Sequence, residues 1–260
     1  MCSIIVLVFI NALFVVALYA EWNQRKMQSS MSETTQPTTE TKSLTIQAEG
    51  KQILVKEPLK KQSASLDVPL IKQKPDLYNG CELTSLTMLL QYYGINKTKI
   101  ELVPEMRQDL TEMQISQEGT ITYWGNPNTG FVGDITGKKQ GYSIYHSALI
   151  ELLKKYIPTG VDLTRSSFDL LEQQVSKGIP VVVWTTIGYI VPQNWVVWDS
   201  PLGPIRASFS IHTVVLVGYD QEHVYVNDPL TGVKNQRVEK QQFNRSWDAM
   251  GKQAISYQKK

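Results

Sequence analysis

Apolar residues have helical spacing in one part of the chain and form β-branched, strand-like runs in a later part. This order constrains the fold more than any other feature of the sequence. Large apolar side chains recur at steps of three and four residues from Leu83 to Tyr93, which is the spacing of an amphipathic helix, and Gly94 is placed to end it. Further helices are predicted around residues 147–156 and 167–177. Because the β-branched runs follow these helices, we predict an α+β fold rather than alternating strands and helices.

Three runs in the C-terminal half carry the residue types of buried strands. The first covers residues 179–186 and the second covers residues 212–220, and both are rich in valine and other β-branched residues. The third run, 223–229, follows the second after a short turn and is predicted to be its hairpin partner. Pro229 closes this third run, because proline has no N–H group to donate to a strand ladder.

The N-terminal residues have the composition of a targeting segment. Residues 3–20 are almost all apolar, with Asn11 as the one clear interruption. This length is just sufficient to span a bilayer, and it also suits the apolar part of a signal peptide. We interpret residues 1–20 as a signal peptide or membrane anchor and favour an uncleaved anchor. The positively charged Arg25 and Lys26 follow this segment, and by the positive-inside rule they argue against a C-terminus outside the cell.

A polar segment separates this anchor from the predicted domain. Residues 21–65 are rich in Ser, Thr, Gln, Lys and Glu and have almost no aromatic residue after Trp22. Such a composition cannot bury enough surface to offset chain entropy, so it predicts a flexible stalk, with one short strand at 53–55. The folded domain is predicted to cover residues 66–260, membrane-anchored or secreted, on the extracytoplasmic face of a bacterial cell.

Charge and composition exclude two classes of function. The formal net charge is only +2, which gives no basis for nucleic-acid binding. The sequence contains two cysteines and three histidines, too few for a zinc cluster of the usual density. They are Cys2, Cys81, His146, His212 and His223. No residue pattern in the sequence requires a metal ion or an organic cofactor.

Cys81 is the first candidate for chemistry. It follows Gly80 and stands where the predicted helix begins, so its sulfur would lie near the positive end of the helix dipole. A thiol needs such an environment to become a nucleophilic thiolate. The alternative is a small buried core residue, which is the commonest role of a free cysteine.

A base and an orienting group are available in the predicted hairpin. With the turn at 220–222, positions whose numbers sum to about 440 face one another, which places His212 opposite Asp228 at roughly 5 Å. An imidazole–carboxylate pair beside a thiol is the arrangement that nucleophilic catalysis requires. A turn aspartate before proline is the alternative for Asp228. His146 and His223 are both interpreted as exposed residues outside any site.

Gln73 is a candidate donor for an oxyanion hole. It lies in a loop eight residues before Cys81, whose backbone N–H could supply a second donor. From the residues alone, an ordinary polar loop residue is the more common interpretation of Gln73.

Several motifs, taken in this order, resemble the bacteriocin-processing (double-glycine-leader) peptidase-like family. They are Leu66–Pro69, Gln73, Gly80–Leu90, Tyr92–Gly94, Trp124–Pro127, Gly130–Gly133, Gly178–Trp184, His212–Asp220 and Val226–Pro229. The resemblance covers residues 66–257 and implies a papain-like cysteine peptidase fold, with the cysteine on the N-terminal helix and the histidine and aspartate on the following sheet. It implies that Cys81 is the nucleophile, His212 the base, Asp228 the orienting group and Gln73 the oxyanion donor.

The sequence also departs from the best-known members of that family. It has no GxxxxGK[ST] loop, so it resembles the stand-alone branch rather than the transporter-linked peptidases. Gly80 precedes and Glu82 follows Cys81, where the transporter-linked peptidases usually have an aspartate and a glycine. The spacing from Gln73 to the cysteine is also slightly longer. Cleavage after two glycines is therefore not implied.

The function predicted from these features is an extracytoplasmic cysteine peptidase acting on a peptide or protein, cell-wall peptides included. Two alternatives stay open, a peptidoglycan amidase or transpeptidase on the same fold and a non-catalytic surface binding module, because a fold alone does not select a reaction. The intact Cys, His and Asp count against the binding module. Two stretches rich in aromatic residues and glycine, 123–133 and 195–203, are candidate walls of the cleft.

Overall fold

The computed structural model of the protein describes residues 60–259. The predicted anchor, nearly all of the predicted stalk and the short strand at 53–55 lie outside this described part. Between residues 60 and 259, no helix combines the length and the apolar character that crossing a membrane requires. The first described strand, Ala64–Ser65, pairs with a central strand just ahead of the predicted domain start at Leu66.

The described chain contains helices, strands and two short 3-10 turns, at Val103–Glu105 and Ile187–Tyr189. The helices are α1 (Cys81–Tyr93), α2 (Lys99–Leu102), α3 (His146–Tyr156), α4 (Phe168–Ser176) and α5 (Lys240–Ala249). The strands are β1 (Ala64–Ser65), β2 (Gln108–Asp109), β3 (Gln114–Ile115), β4 (Ile121–Tyr123), β5 (Phe131–Val132), β6 (Gly160–Asp162), β7 (Val181–Thr186), β8 (Val196–Ser200), β9 (Gly203–Ala207), β10 (Ile211–Tyr219), β11 (His223–Asp228), β12 (Val233–Glu239) and β13 (Ala254–Tyr257). The predicted α+β class is confirmed.

One antiparallel sheet of seven strands forms the centre of the described part. Its order is β12-β11-β10-β7-β13-β6, and β1 pairs with the far end of β10. A second sheet has the order β3-β4-β8-β9, and β2 pairs with β5 in parallel. The strand β10 lies between β11 and β7, and every one of its residues is buried. A polar side chain on this strand therefore needs a partner inside the protein.

The central sheet has apolar packing on both faces. On β7, Val182 and Trp184 belong to the apolar cluster that includes α1 and α3, whereas Val181 and Val183 belong to the cluster that includes α4 and α5. Successive side chains of a strand point to opposite faces, so alternate residues of β7 enter different clusters. The β-branched run in the sequence therefore corresponds to a strand buried on both faces, as predicted.

The helix α1 forms where its apolar spacing predicts a helix, but it is not amphipathic, because every residue from Cys81 to Leu90 is buried. Leu83, Leu86, Leu89 and Leu90 are all fully buried. Gly94 ends the helix with φ of 102°, in the left-handed region that favours glycine, and its N–H donates to carbonyl oxygens of the last turn. The helix packs on β10, and the Ser85 hydroxyl donates a 3.0 Å hydrogen bond to the Thr213 carbonyl.

The hairpin of β10 and β11 forms as predicted, but its predicted register is wrong by two residues. Val215 pairs with Asn227 and Leu216 pairs with Val226, so the ladder does not place His212 opposite Asp228. The turn itself covers residues 220–222, as predicted, and the Asp220 carboxylate accepts the backbone N–H groups of residues 222 and 223 within it. The strands on either side pair Tyr219 with Val224, so the ladder starts from a different centre than the predicted one. An irregularity between residues 216 and 218, typical of a β-bulge, then shifts the pairing by one residue.

Candidate active site

His212 and Asp228 form a buried hydrogen-bonded pair in spite of the shifted register. Nε2 of His212 lies 2.8 Å from Oδ1 of Asp228, and the two residues are 2% and 3% exposed. His212 is the second residue of β10, and Asp228 is the last residue of β11, where that strand leaves its regular pairing. This bond leaves Nδ1 as the ring nitrogen without a hydrogen bond among the described residues.

Asp228 accepts further hydrogen bonds that hold it ionised. Its Oδ1 also accepts the N–H groups of Leu230 and Thr231 at 2.8 and 3.2 Å, and its Oδ2 accepts the Tyr189 hydroxyl at 3.1 Å. Burial by itself would raise the pKa of this carboxyl. The hydrogen bond and charge of His212, together with the two backbone N–H groups, outweigh burial and lower the pKa to about 2.

Tyr189 is a member of the site that the sequence analysis missed. It is 5% exposed, and its ring packs 5.8 Å from the ring of Phe243. Its φ of 60° lies in the left-handed region, directly after Gly188 with φ of 73°. A left-handed backbone is costly for a bulky residue, and such positions persist where the surrounding structure holds them. No sequence motif marks Tyr189, because its approach to Asp228 depends on the turn that follows β7.

Cys81 opens helix α1 and is 8% exposed. The preceding Gly80 is required by space, since a Cβ atom there would lie 2.6 Å from Cβ of Leu77. The thiol Sγ donates a 3.4 Å hydrogen bond to Oε2 of Glu82. Among the described residues, no hydrogen bond joins Cys81 to His212. The structure therefore brings His212 and Asp228 into contact and places the thiol of Cys81 against Glu82.

The groups around Cys81 in this structure favour its neutral thiol form over the thiolate. Burial raises its pKa well above the ordinary value, and the charge of Glu82 raises it further. Contacts with the backbone and side chain of Thr213, the residue after His212, lower the pKa by less. Burial and a neighbouring carboxyl group therefore act against the stabilising effect expected from the helix N-terminus.

Glu82 is the second residue of the site that the sequence analysis did not assign. It is 1% exposed, and its Oε1 accepts a hydrogen bond from the Ser143 hydroxyl. A signal for its burial was present in the sequence. Glu82 lies four residues before Leu86 and therefore shares the apolar face of the helix, where a charged residue is unusual.

Gln73 lies in a loop that is tied to both sides of the site. Its Nε2 donates to the Tyr78 carbonyl at 2.7 Å, and its backbone N–H donates to the Pro229 carbonyl at 2.9 Å, next to Asp228. Lys99 holds the same loop by donating to the Gln73 carbonyl at 2.8 Å. The side chain of Gln73 is 3% exposed and its Oε1 has no partner in the described part, so the amide is buried without full hydrogen bonding. Its role as oxyanion donor stays a prediction.

The other two histidines lie in separate pairs. His146 Nδ1 is 2.6 Å from the Asp162 carboxylate, and His223 lies beside Asp220 and Arg237. Within residues 60–259, no cluster of three or more His, Cys, Asp or Glu side chains is arranged to hold a metal ion.

Aromatic residues from the two stretches proposed as cleft walls pack together. The rings of Trp124 and Trp198 are 5.6 Å apart, and Tyr142 packs against Trp198 at 5.1 Å. Phe209, three residues before His212, covers Tyr142 at 5.4 Å and is 41% exposed. The Tyr142 end of this cluster adjoins Ser143, the residue that binds Glu82, so the cluster extends towards the candidate site.

Known proteins are similar to this chain over most of its length. Residues 65–255 match the model of the Peptidase_C39 like family. The uncharacterized protein YvpB of Bacillus subtilis (strain 168) is 39% identical over 207 residues, which cover 78% of this chain and 80% of YvpB. A crystallised protein of Bacillus anthracis that carries the name C39-like peptidase is 40% identical, with a TM-score of 0.69, and the match covers 77% of this chain and 99% of that one.

The lowered pKa of Asp228 predicts a pH-dependent contribution to stability. A carboxyl group whose pKa is lower in the folded than in the unfolded state stabilises the fold above its unfolded pKa, and this is lost as pH falls from about 4 towards about 2. We expect Asp228→Asn to lower the free energy of unfolding by roughly 2 kcal/mol near pH 7 and by clearly less near pH 3, as measured by urea denaturation. The exposed Asp199→Asn serves as control. A difference for Asp228→Asn that does not change with pH would contradict this prediction.

Proposed function

Because this chain belongs to the Peptidase_C39 like family, we propose that it is an extracytoplasmic cysteine peptidase that uses Cys81, His212 and Asp228 to hydrolyse peptide bonds. The family resemblance and the papain-like α+β fold inferred from the sequence are confirmed, and together they support a cysteine-peptidase type of function. The observation that supports the finer assignment is the buried 2.8 Å bond between His212 and Asp228, on the strand against which the Cys81 helix packs.

The proposed reaction assigns one task to each group. His212 accepts the thiol proton of Cys81 on Nδ1, and the resulting thiolate attacks the carbonyl carbon of the peptide. Asp228 accepts the Nε2–H of the imidazolium and stabilises its charge. The imidazolium then protonates the leaving amine as the tetrahedral intermediate collapses to a thioester. Water, deprotonated by His212, hydrolyses the thioester, and the proton returns to the Cys81 sulfur.

The oxyanion of the tetrahedral intermediate needs donors. The backbone N–H of Cys81 is in the first turn of α1 and is not used by a helical acceptor. The Gln73 amide has two N–H groups, and the Tyr78 carbonyl takes one of them. These two groups are the proposed oxyanion hole.

The proposed substrate is a peptide or protein outside the cytoplasm, cell-wall peptides included, and the proposed membrane contact is the apolar segment 3–20. A nucleic-acid partner is not proposed, because the net charge is only +2.

Two substitutions test the catalytic assignment. Cys81→Ala should abolish cleavage of a fluorogenic peptide library, because it removes the nucleophile. His212→Ala should lower kcat/KM by about 10²–10⁴-fold and should slow the labelling of Cys81 by iodoacetamide, because the general base is lost. The measurements are initial cleavage rates and the labelling of Cys81 followed by mass spectrometry.

His223→Ala is the matched control, since this histidine lies away from the pair, and it should leave both rates unchanged. Labelling of Cys81 no faster than that of a free thiol at every pH from about 4 to 9, together with no cleavage, would contradict the proposal and favour a binding module. Release of peptidoglycan fragments from cell wall without cleavage of the library would favour the amidase or transpeptidase.

Gln73→Ala separates oxyanion stabilisation from thiol activation. Loss of one oxyanion donor costs about 10²–10³-fold in kcat, so we expect peptide cleavage to fall by that factor. Labelling by iodoacetamide should not change, because alkylation forms no oxyanion. Gln91→Ala, which removes a half-buried amide that is likewise bonded to a backbone carbonyl, is the control. Cleavage within a few-fold of the wild type would show that Gln73 has no such role.

Fractionation tests the proposed location. The full chain expressed in a bacterium should sediment with membranes, and trypsin added to intact protoplasts should cut it within residues 21–59. A variant that lacks residues 3–20 should stay in the soluble fraction and resist trypsin, because it has lost the apolar segment. Recovery of the intact full chain from the soluble fraction of trypsin-treated protoplasts would show that the location is wrong.

A further inference from the structure

Glu82 is in direct contact with the proposed nucleophile, and both of its oxygens are engaged. Oε1 accepts the Ser143 hydroxyl, and Oε2 accepts the Cys81 thiol at 3.4 Å. The residue is 1% exposed, so solvent does not share in these bonds. The proposed reaction assigns this carboxyl group no task.

A carboxylate in this position lacks the usual compensation for burial. Among the ion pairs of the described residues, none joins Glu82 to a lysine or an arginine. The other buried acidic side chain on a described helix, Glu172, is paired with Lys60 and Lys240 at 2.7 Å each. Burying a charge without a cation is costly, and a carboxyl group in that situation binds a proton more readily.

The titratable groups around Glu82 come from three elements. They are Cys81 on α1, His212 on β10, and Tyr142 and Tyr145 in the segment before α3. Burial raises the pKa of Glu82, while the hydrogen bonds from Ser143 and Cys81 and the charge of His212 lower it by less. The carboxyl group therefore exchanges its proton at a higher pH than an exposed glutamate does.

We propose that Glu82 is a positioning residue that controls the nucleophile, holding Cys81 as an unreactive thiol when it is a carboxylate and releasing the thiol to His212 when it is a carboxylic acid. This inference rests on the proposed function, since it assumes that the Cys81 thiolate is the attacking group. It deepens that function by adding a regulatory proton at the nucleophile.

The protons balance in both states. With Glu82 ionised, the thiol hydrogen is donated to Oε2, and the negative charge beside the sulfur opposes formation of a second anion. When Glu82 takes one proton from solvent, Oε2 becomes a donor to the sulfur. The S–H bond of Cys81 then breaks, its proton binds Nδ1 of His212, and the thiolate is accompanied by an imidazolium. No electrons are exchanged in these steps.

Glu82→Gln tests the proposal, because the amide keeps the size of the side chain and stays uncharged at every pH. The full chain carries Cys2→Ser in all variants so that Cys81 is the one thiol labelled. The rate of labelling by iodoacetamide is measured from about pH 4 to pH 9. A thiol pKa lowered by one unit gives ten times more thiolate, partly offset by its weaker nucleophilicity, so we expect labelling near pH 7.5 to be about three- to tenfold faster.

The shape of the pH profile distinguishes control of the thiol from a purely structural role. The wild type should show an ionisation on the acidic side, at which labelling falls as pH rises, and Glu82→Gln should lack it. Glu172→Gln is the control, since it neutralises a buried carboxyl group that contacts lysines instead of the thiol, and its profile should match the wild type. A Glu82→Gln profile identical to that of the wild type would overturn the inference.

Ser143→Ala provides a second test if Glu82→Gln fails to fold. Removing the hydroxyl takes away a hydrogen bond that lowers the pKa of Glu82, so the acidic ionisation should move to higher pH. An ionisation that does not move would overturn the inference. His212→Ala separates the two hypotheses: labelling that does not depend on His212 but still changes in Glu82→Gln contradicts the proposed function and supports control of the thiol by Glu82.

Discussion

The hydrogen bond between His212 and Asp228 is the interaction on which the rest of the candidate site depends. Asp228 ends β11, and its carboxylate accepts groups from the strand β10, from the following turn and from Tyr189. The carbonyl of the next residue, Pro229, accepts the backbone N–H of Gln73. One buried carboxylate and its neighbour thus connect a strand, two turns and a loop, and loss of the carboxylate would leave several donors unpaired at once.

The two buried acids of the site differ in their ionisation for a simple reason. Asp228 accepts hydrogen bonds from the His212 ring, the Tyr189 hydroxyl and two backbone N–H groups. The His212 ring and the two backbone groups outweigh burial and lower the pKa of Asp228. Glu82 accepts hydrogen bonds from a hydroxyl and a thiol, and no basic side chain between residues 60 and 259 is bonded to it. Burial therefore dominates and raises the pKa of Glu82. When two environments shift the pKa values of two carboxyl groups in opposite directions, the group with the lowered pKa stays charged and the group with the raised pKa can exchange a proton. Here these groups are Asp228 and Glu82. In our proposal the first orients the base, and the second controls the nucleophile.

The spacing of apolar residues predicted the helix and the hairpin around the site, but it did not predict which residues of the two strands face each other. The leucine spacing predicted α1, and Gly94 marked its end, because a helix needs only local periodicity and a residue that tolerates positive φ. The hairpin was predicted from two β-branched runs, yet its register was two residues off. The pair of residues that closes the turn and an irregularity between residues 216 and 218 set the register, and neither is encoded in the alternation of apolar residues. His212 and Asp228 still meet because side chains of their length reach a diagonal partner.

The sequence by itself determined the fold class, three of the helices, the buried strands of the central hairpin and the set of residues able to carry out thiol chemistry, since these depend on periodicity and on the scarcity of Cys and His. Tertiary structure decided which groups touch. Tyr189 reaches Asp228 only through the left-handed turn after β7, and Glu82 becomes a partner of Cys81 only because α1 buries its first turn against Ser143. Burial and hydrogen-bond partners set the ionisation of a carboxyl group, and both arise from segments distant in the chain, so composition and spacing could not reveal them.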